Sequence, residues 1–167
     1  AGKDITGVSN FLQDNFGFAN IGTDNSPDRA LGSLGRFQNS MAFGTVLQAG
    51  AGVNGITTAT ISYRGEQWFN SVDLSQLDFQ YKIRSAADGP FSSGTNILNS
   101  AGWTDVDALD FVSLDNADPQ VVGARDGNTL NSNISHSFTL NETLDEGEYL
   151  VIRWLHAAKG DASQYRS

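Results

Sequence analysis

The segment Ile61-Ser62-Tyr63-Arg64-Gly65-Glu66-Gln67-Trp68 interleaves aromatic and β-branched residues with polar ones at a period of two. A chain with that period buries one face of an extended strand and turns the other towards solvent, a sugar or an ion. Trp103-Thr104-Asp105-Val106-Asp107-Ala108-Leu109-Asp110-Phe111 carries a similar strand-like pattern further along. Neither piece sets a nucleophile and a base at a spacing that chemistry demands, so these residues constrain architecture before activity.

The same period marks residues 41–47, where Met41, Phe43, Thr45 and Leu47 form one face. Strand-like runs return at 56–63, 77–83, 108–112, 134–140 and 149–154. Between them lie 50–55, 87–90, 115–119, 125–128 and 144–148, rich in Gly, Asn, Asp and Pro, the residues of tight turns. Eighteen glycines and ten phenylalanines fit short strands and close turns rather than long helices. Residues 9–18 mix Phe11, Leu12, Phe16 and Phe18 with Asp14 and Asn15, which suits an irregular first strand at a sheet edge. A length of 167 residues allows one sizeable core, and no linker or second hydrophobic block divides it. The expectation is an all-β fold in a single domain over 1–167, an antiparallel two-sheet β-sandwich of jelly-roll-like type.

Ten basic against nineteen acidic residues leave a formal net charge of −9. That balance repels a phosphate backbone and an anionic bilayer, so neither a nucleic-acid partner nor membrane insertion is expected. The sequence has no apolar run of the roughly eighteen residues that a spanning helix needs. It also has no cysteine, which removes disulfides and thiolate metal sites. In a small secreted domain that points to calcium as the stiffening cofactor.

Two acidic groups are candidate calcium ligands. Asp24 and Asp28 sit in the turn-rich stretch 22–28, and the alternative there is an Asx-type turn in which the oxygens serve their own amides. Asp105 and Asp107 belong to the densest carboxylate group, with Asp110, Asp115 and Asp118. In an extended strand Asp105 and Asp107 share a face, although solvated acidic strand ends are the commoner outcome for such residues.

For a ligand, extended geometry puts Ser62, Arg64, Glu66 and Trp68 on one side of the strand. A charged pair beside an indole suits a polar ligand, with the ring stacking on a sugar and the pair bonding hydroxyls. The alternative is a structural pair under an aromatic lid. Trp103 and Trp154 carry the same two readings, and Arg64, Glu66, Trp68 and Trp103 are the candidate ligand-binding residues. Catalysis has less to stand on. His136 alternates with Ile134 and Phe138 and reads as a partly buried imidazole, while His156 lies near the end. No spacing singles out two carboxylates among Glu66, Glu142, Glu146 and Glu148 for glycoside hydrolysis, so an enzyme is not the expectation.

Taken in order, Asp28-Arg29-Ala30-Leu31-Gly32-Ser33-Leu34, the segment from Ile61 to Trp68, Leu77-Asp78-Phe79-Gln80-Tyr81, the segment from Trp103 to Phe111, Asp126-Gly127-Asn128 and Ile152-Arg153-Trp154 resemble a bacterial extracellular β-sandwich domain. That domain occurs in exported, surface-sorted proteins of the PEP-CTERM type and beside secreted nuclease or lamin-tail modules. Gly65-Glu66-Gln67-Trp68 is the most specific part of the resemblance. It implies a secreted or cell-surface location and a sandwich fold, and it implies no assigned activity. In that family the Arg-Trp strand runs on into an acidic loop and a closing strand, whereas here Trp154 is followed by Leu155-His156-Ala157-Ala158-Lys159-Gly160-Asp161. The closing strand is therefore expected to be missing, either because the fragment was trimmed or because its place is taken by the N-terminal strand or by a neighbouring molecule.

Together these readings give a non-catalytic extracellular module that binds polysaccharide or a surface partner. The first alternative is a structural subunit that self-associates through an open sheet edge by strand complementation. The second is a secreted glycan-active hydrolase.

Overall fold

Backbone pairing bears out the period-two reading along most of the chain. A computed structural model of the protein describes residues 3–5, 19–22, 27–33, 40–70, 75–90, 97–98, 101–115 and 122–157. These form twelve strands: β1 (Lys3–Ile5), β2 (Ala19–Ile21), β3 (Ala30–Gly32), β4 (Met41–Gln48), β5 (Ile56–Glu66), β6 (Phe69–Asn70), β7 (Gln76–Arg84), β8 (Thr104–Asp105), β9 (Phe111–Val112), β10 (Gly123–Ala124), β11 (Asn131–Leu144) and β12 (Tyr149–His156). Every pairing is antiparallel except β1 with β2. The protein is all-β. Among the described residues no helix is long and apolar enough to cross a membrane. The first-strand expectation for 9–18 lies outside the described residues.

The larger layer runs β4-β12-β7-β8, with β9 pairing the start of β7. Its central strand, β12, is buried on both faces, which is why Leu150, Val151 and Ile152 follow one another without a polar break. The other layer is the long pair β5 and β11, in register from Glu66 opposite Asn131 to Thr58 opposite Thr139. On its outer face Ser62 meets Ser135 at 2.6 Å and Thr60 meets Ser137 at 2.7 Å, a cross-strand ladder of hydroxyls. The inner face carries Tyr63, Ile61, Ile134 and Phe138, which pack on the core formed by Phe79, Tyr81, Ile83, Leu109 and Ile152. β12 is paired on both sides, by β4 and by β7. Among the described residues the edges fall at β4 and β8 in the larger layer and at β5 and β11 in the pair.

At one end of the layers, two arches carry the chain from one sheet to the other. The arch between β4 and β5 uses Gly52 (φ 76°) and Gly55 (φ 75°) in a backbone region that side-chain-bearing residues avoid. Their amides are held by acids of the neighbouring arch between β11 and β12, Gly52 N–H by Glu146 at 2.9 Å and Gly55 N–H by Asp145 at 2.8 Å. These acids act as anchors. Their position far along the strands leaves the opposite end of the sandwich free for a site.

Two expectations need correction. The stretch 103–111, including the strand expected at 108–112, is broken into β8, a 3-10 turn at Asp107–Leu109, and β9. Leu109 N–H bonds the Val106 carbonyl at 2.8 Å and Val106 N–H bonds the Phe79 carbonyl at 3.0 Å, so the turn drives Leu109 fully into the core. Local alternation yields to that tertiary anchor. His136, expected partly buried, is exposed although it shares a face with Ile134 and Phe138, which pack on the core cluster.

Gly44 lies where β4 approaches β12 most closely, and a Cβ there would come within 1.9 Å of the Ile152 carbonyl oxygen. That neighbour is backbone and has no rotamer to change. Gly44→Ala is expected to destabilise the fold by about 1–3 kcal/mol, measured as a lower urea midpoint at unchanged slope.

Candidate functional site

At the end opposite the arches a cavity of about 530 Å³ opens, lined by β4 and β5 among others. The motif Gly65-Glu66-Gln67-Trp68 builds much of its wall, and each residue has a separate task. Gly65 lets the Phe111 ring lie against bare backbone, since a Cβ at that position would sit 2.2 Å from the ring. Glu66 holds Arg64 Nε at 3.3 Å through one oxygen and accepts the Trp68 indole N–H at 2.9 Å through the other. Gln67 is buried; its oxygen accepts the amides of Leu114 at 2.6 Å and Asp115 at 3.0 Å, while its nitrogen donates to Phe69 O and Asn70 Oδ1. Trp68 packs edge-on over Gly127, where any side chain would collide with the indole.

The rest of the wall is largely aromatic and aliphatic. Trp154 of β12 is the hinge between the layers, stacked on Phe43 (centroids 5.7 Å apart) and edge-on to Tyr63 (5.0 Å) and Phe79 (5.2 Å). Phe43, Tyr63 and Trp154 face the cavity with Phe111, Leu77 and Ile21. The Tyr63 hydroxyl donates to the Leu109 carbonyl at 2.6 Å. Burial pushes its pKa up, and the nearby Trp154 indole N–H opposes part of that rise. That indole N–H is itself buried and makes no hydrogen bond of good geometry.

At the rim, Ser33 Oγ and His156 Nδ1 lie 3.1 Å apart. Burial pushes the imidazole pKa down, so His156 is neutral at pH 7. Among the described residues no carboxylate is hydrogen-bonded to this imidazole.

Of the residues expected to bind a ligand, Arg64, Glu66 and Trp68 come together on this wall as extended geometry required. Trp103 does not join them. It lies on the outer face of the larger layer, with the Arg153 guanidinium 4.0 Å above its ring. Arg153 is 5 % exposed, and it donates to Gln80 Oε1 at 2.6 Å and to the carbonyls of Ile97 and Leu98. Burial brings its pKa down to about 10. Trp103 therefore packs against an internal cation.

The acidic candidates also part company. Asp105 is exposed and accepts Gln80 Nε2 at 2.5 Å, whereas Asp107 opens the 3-10 turn, so the shared face that a continuous strand would give them is lost. Asp28 is exposed, and Asp24 lies outside the described residues. Among the described residues no group of three or more His, Asp or Glu side chains is placed to hold a metal ion.

No protein-family model, curated protein or solved structure matches the chain. The site stands on its own geometry. Sequence reading weighed Trp154 as a ligand platform but missed Phe43, Phe111 and the Ser33–His156 pair, because they reach the cavity from separate strands. It also passed over Gln67, whose signal was a buried-side amide at the end of an alternating run.

Behind the wall, Gln76 Nε2 donates to both Asp78 Oδ1 and Asp110 Oδ2 at 2.8 Å, and Asp110 Oδ1 accepts the Phe79 amide at 2.7 Å. Burial, reinforced by the neighbouring Asp78 and Asp107, raises Asp110 to about 6, and burial raises Asp78 as well. A raised carboxylate binds its proton more tightly folded than unfolded, so its contribution to stability is present at low pH and is lost as pH climbs through about 6. Stability of Asp110→Asn relative to wild type is expected to improve from about pH 4 to about pH 7. Urea midpoints across that range check it, and the slope of the difference is unaffected by any constant loss from the altered amide bond.

Proposed function

We propose that the protein is a non-catalytic binding module, secreted or displayed at the cell surface, that holds its ligand in the aromatic cavity. The observation that carries this reading is the cavity itself, about 530 Å³ of space walled by rings that are already fixed in place. Pockets of about 300–1,000 Å³ with mostly apolar walls and a few placed polar groups are the usual form of a small-ligand site. Trp68 is held by Glu66 and by Gly127, so binding costs it little rotamer freedom. The location rests on the resemblance noted above.

A polysaccharide laid along the outer surface is supported less well, because the rings gathered at this site face inward and Trp68 is only partly exposed. A second reading has its own support. Among the described residues β4 and β5 are each paired on one side only, which suits completion by a strand from another molecule.

Trp68→Ala is expected to abolish ligand-induced thermal stabilisation while the free protein keeps its β-sheet dichroism. The readout is a melting-temperature screen of wild type and variant against neutral apolar compounds and soluble oligosaccharides. If no compound of either class raises the wild-type melting temperature, the binding reading fails. Size growing with concentration in light scattering would then favour strand exchange.

A further inference from the structure

The chemistry of the ligand can be read from what the cavity wall no longer has to offer, an inference that rests on the binding reading above. Its charges are already matched. Arg64 is paired with Glu66 and donates from Nη2 to the Asn128 carbonyl at 3.1 Å, while the second Glu66 oxygen is taken by Trp68. The amides are committed too: Gln67 uses both ends of its side chain within the protein, and the Gln76 nitrogen is shared between two carboxylates.

Three of the hydroxyls follow the same pattern. Tyr63 donates to Leu109 O, Ser113 Oγ donates to Ser75 O and accepts the Ser75 amide, and Ser33 faces His156. The surfaces left to meet a guest are those of Ile21, Phe43, Trp68, Leu77, Phe111 and Trp154, whose indole N–H is the one buried side-chain donor among the described residues without a bond. A carboxylate or ammonium drawn into this space would lose its water without gaining a free counter-charge, and a sugar would leave hydroxyls unpaired. An uncharged apolar body loses nothing comparable and gains contact with six side chains.

We propose that the cavity binds an uncharged, predominantly hydrophobic small molecule of the fatty-alcohol or fused-ring kind. Charge complementarity decides the class: the chain carries a formal net charge of −9, yet among the described residues the wall presents a self-neutralised pair and no spare cation.

The experiment uses the intact chain and N-phenyl-1-naphthylamine, a neutral fluorescent probe, with decanol, decanoate and cellohexaose as competitors. The expected result is saturable binding of one probe per chain, displaced by decanol. Decanoate should compete at least about ten-fold less well, and cellohexaose not at all. Thr45 lines the cavity from the exposed edge of β4. Thr45→Trp should weaken probe binding at least about ten-fold by occupying the space, whereas Thr58→Trp, exposed on β5 and outside the cavity wall, should leave it unchanged.

Decanoate equal to decanol would overturn the proposal, as would probe binding untouched in a folded Thr45→Trp protein. If Thr45→Trp does not fold, the competition series still decides. Cellohexaose binding that depends on Trp68, with no probe binding, would keep the binding module and discard this ligand class. Absence of binding by every compound would discard both.

Discussion

The indole of Trp154 is the joint on which the rest of the molecule turns. It sits on the central strand of the larger layer, with Phe43 stacked on one side and Phe79 and Tyr63 meeting it edge-on. Tyr63 belongs to the opposite layer, so this cluster ties the two sheets together. Edge-to-face and offset contacts of this kind each add about 0.5–1.5 kcal/mol beyond the area they bury. They also fix ring orientation, and the rings that hold the layers together are the same rings that face the cavity. Adhesion between the sheets and the shape of the site are one arrangement.

Around that joint, buried polar groups determine where the loops run. Gln67 secures the segment after β9 through the Leu114 and Asp115 amides, and Asp110 clamps the segment before it to the Phe79 amide. Arg153 gathers the carbonyls of Ile97 and Leu98 against the outer face of β12. A buried polar group without a partner costs on the order of 1–3 kcal/mol, so each of these side chains dictates the path of the backbone that satisfies it. The result is a rigid wall whose hydrogen bonds are directed away from the cavity, leaving apolar surface towards it.

The two ends of the sandwich divide the work. At one, Asp145 and Glu146 of one arch hold the glycine-rich backbone of the other, and the ends of β4, β5, β11 and β12 are locked together. At the other, short elements, β2, β3, β6 and β9, help line the opening. A fold anchored at one end tolerates unfilled space at the other, because the cost of that space is borne locally rather than by the whole core.

The sequence by itself determined what depends on neighbours along the chain. The period of two placed strands over 41–48, 56–66, 76–84, 131–144 and 149–156 with small errors at their ends, and it put Arg64, Glu66 and Trp68 together because residues two apart on a strand share a face. Tertiary structure decided the rest. Which way Trp103 turns, that 107–109 coils into a 3-10 turn instead of continuing as strand, and that Asp105 and Asp107 separate all follow from contacts with β7 and β12. Ser33 and His156, 123 positions apart, meet only because β3 is carried to the end of β12. A strand's alternation is local, whereas a cavity is the space that distant segments fail to fill, and no short stretch of sequence contains that information.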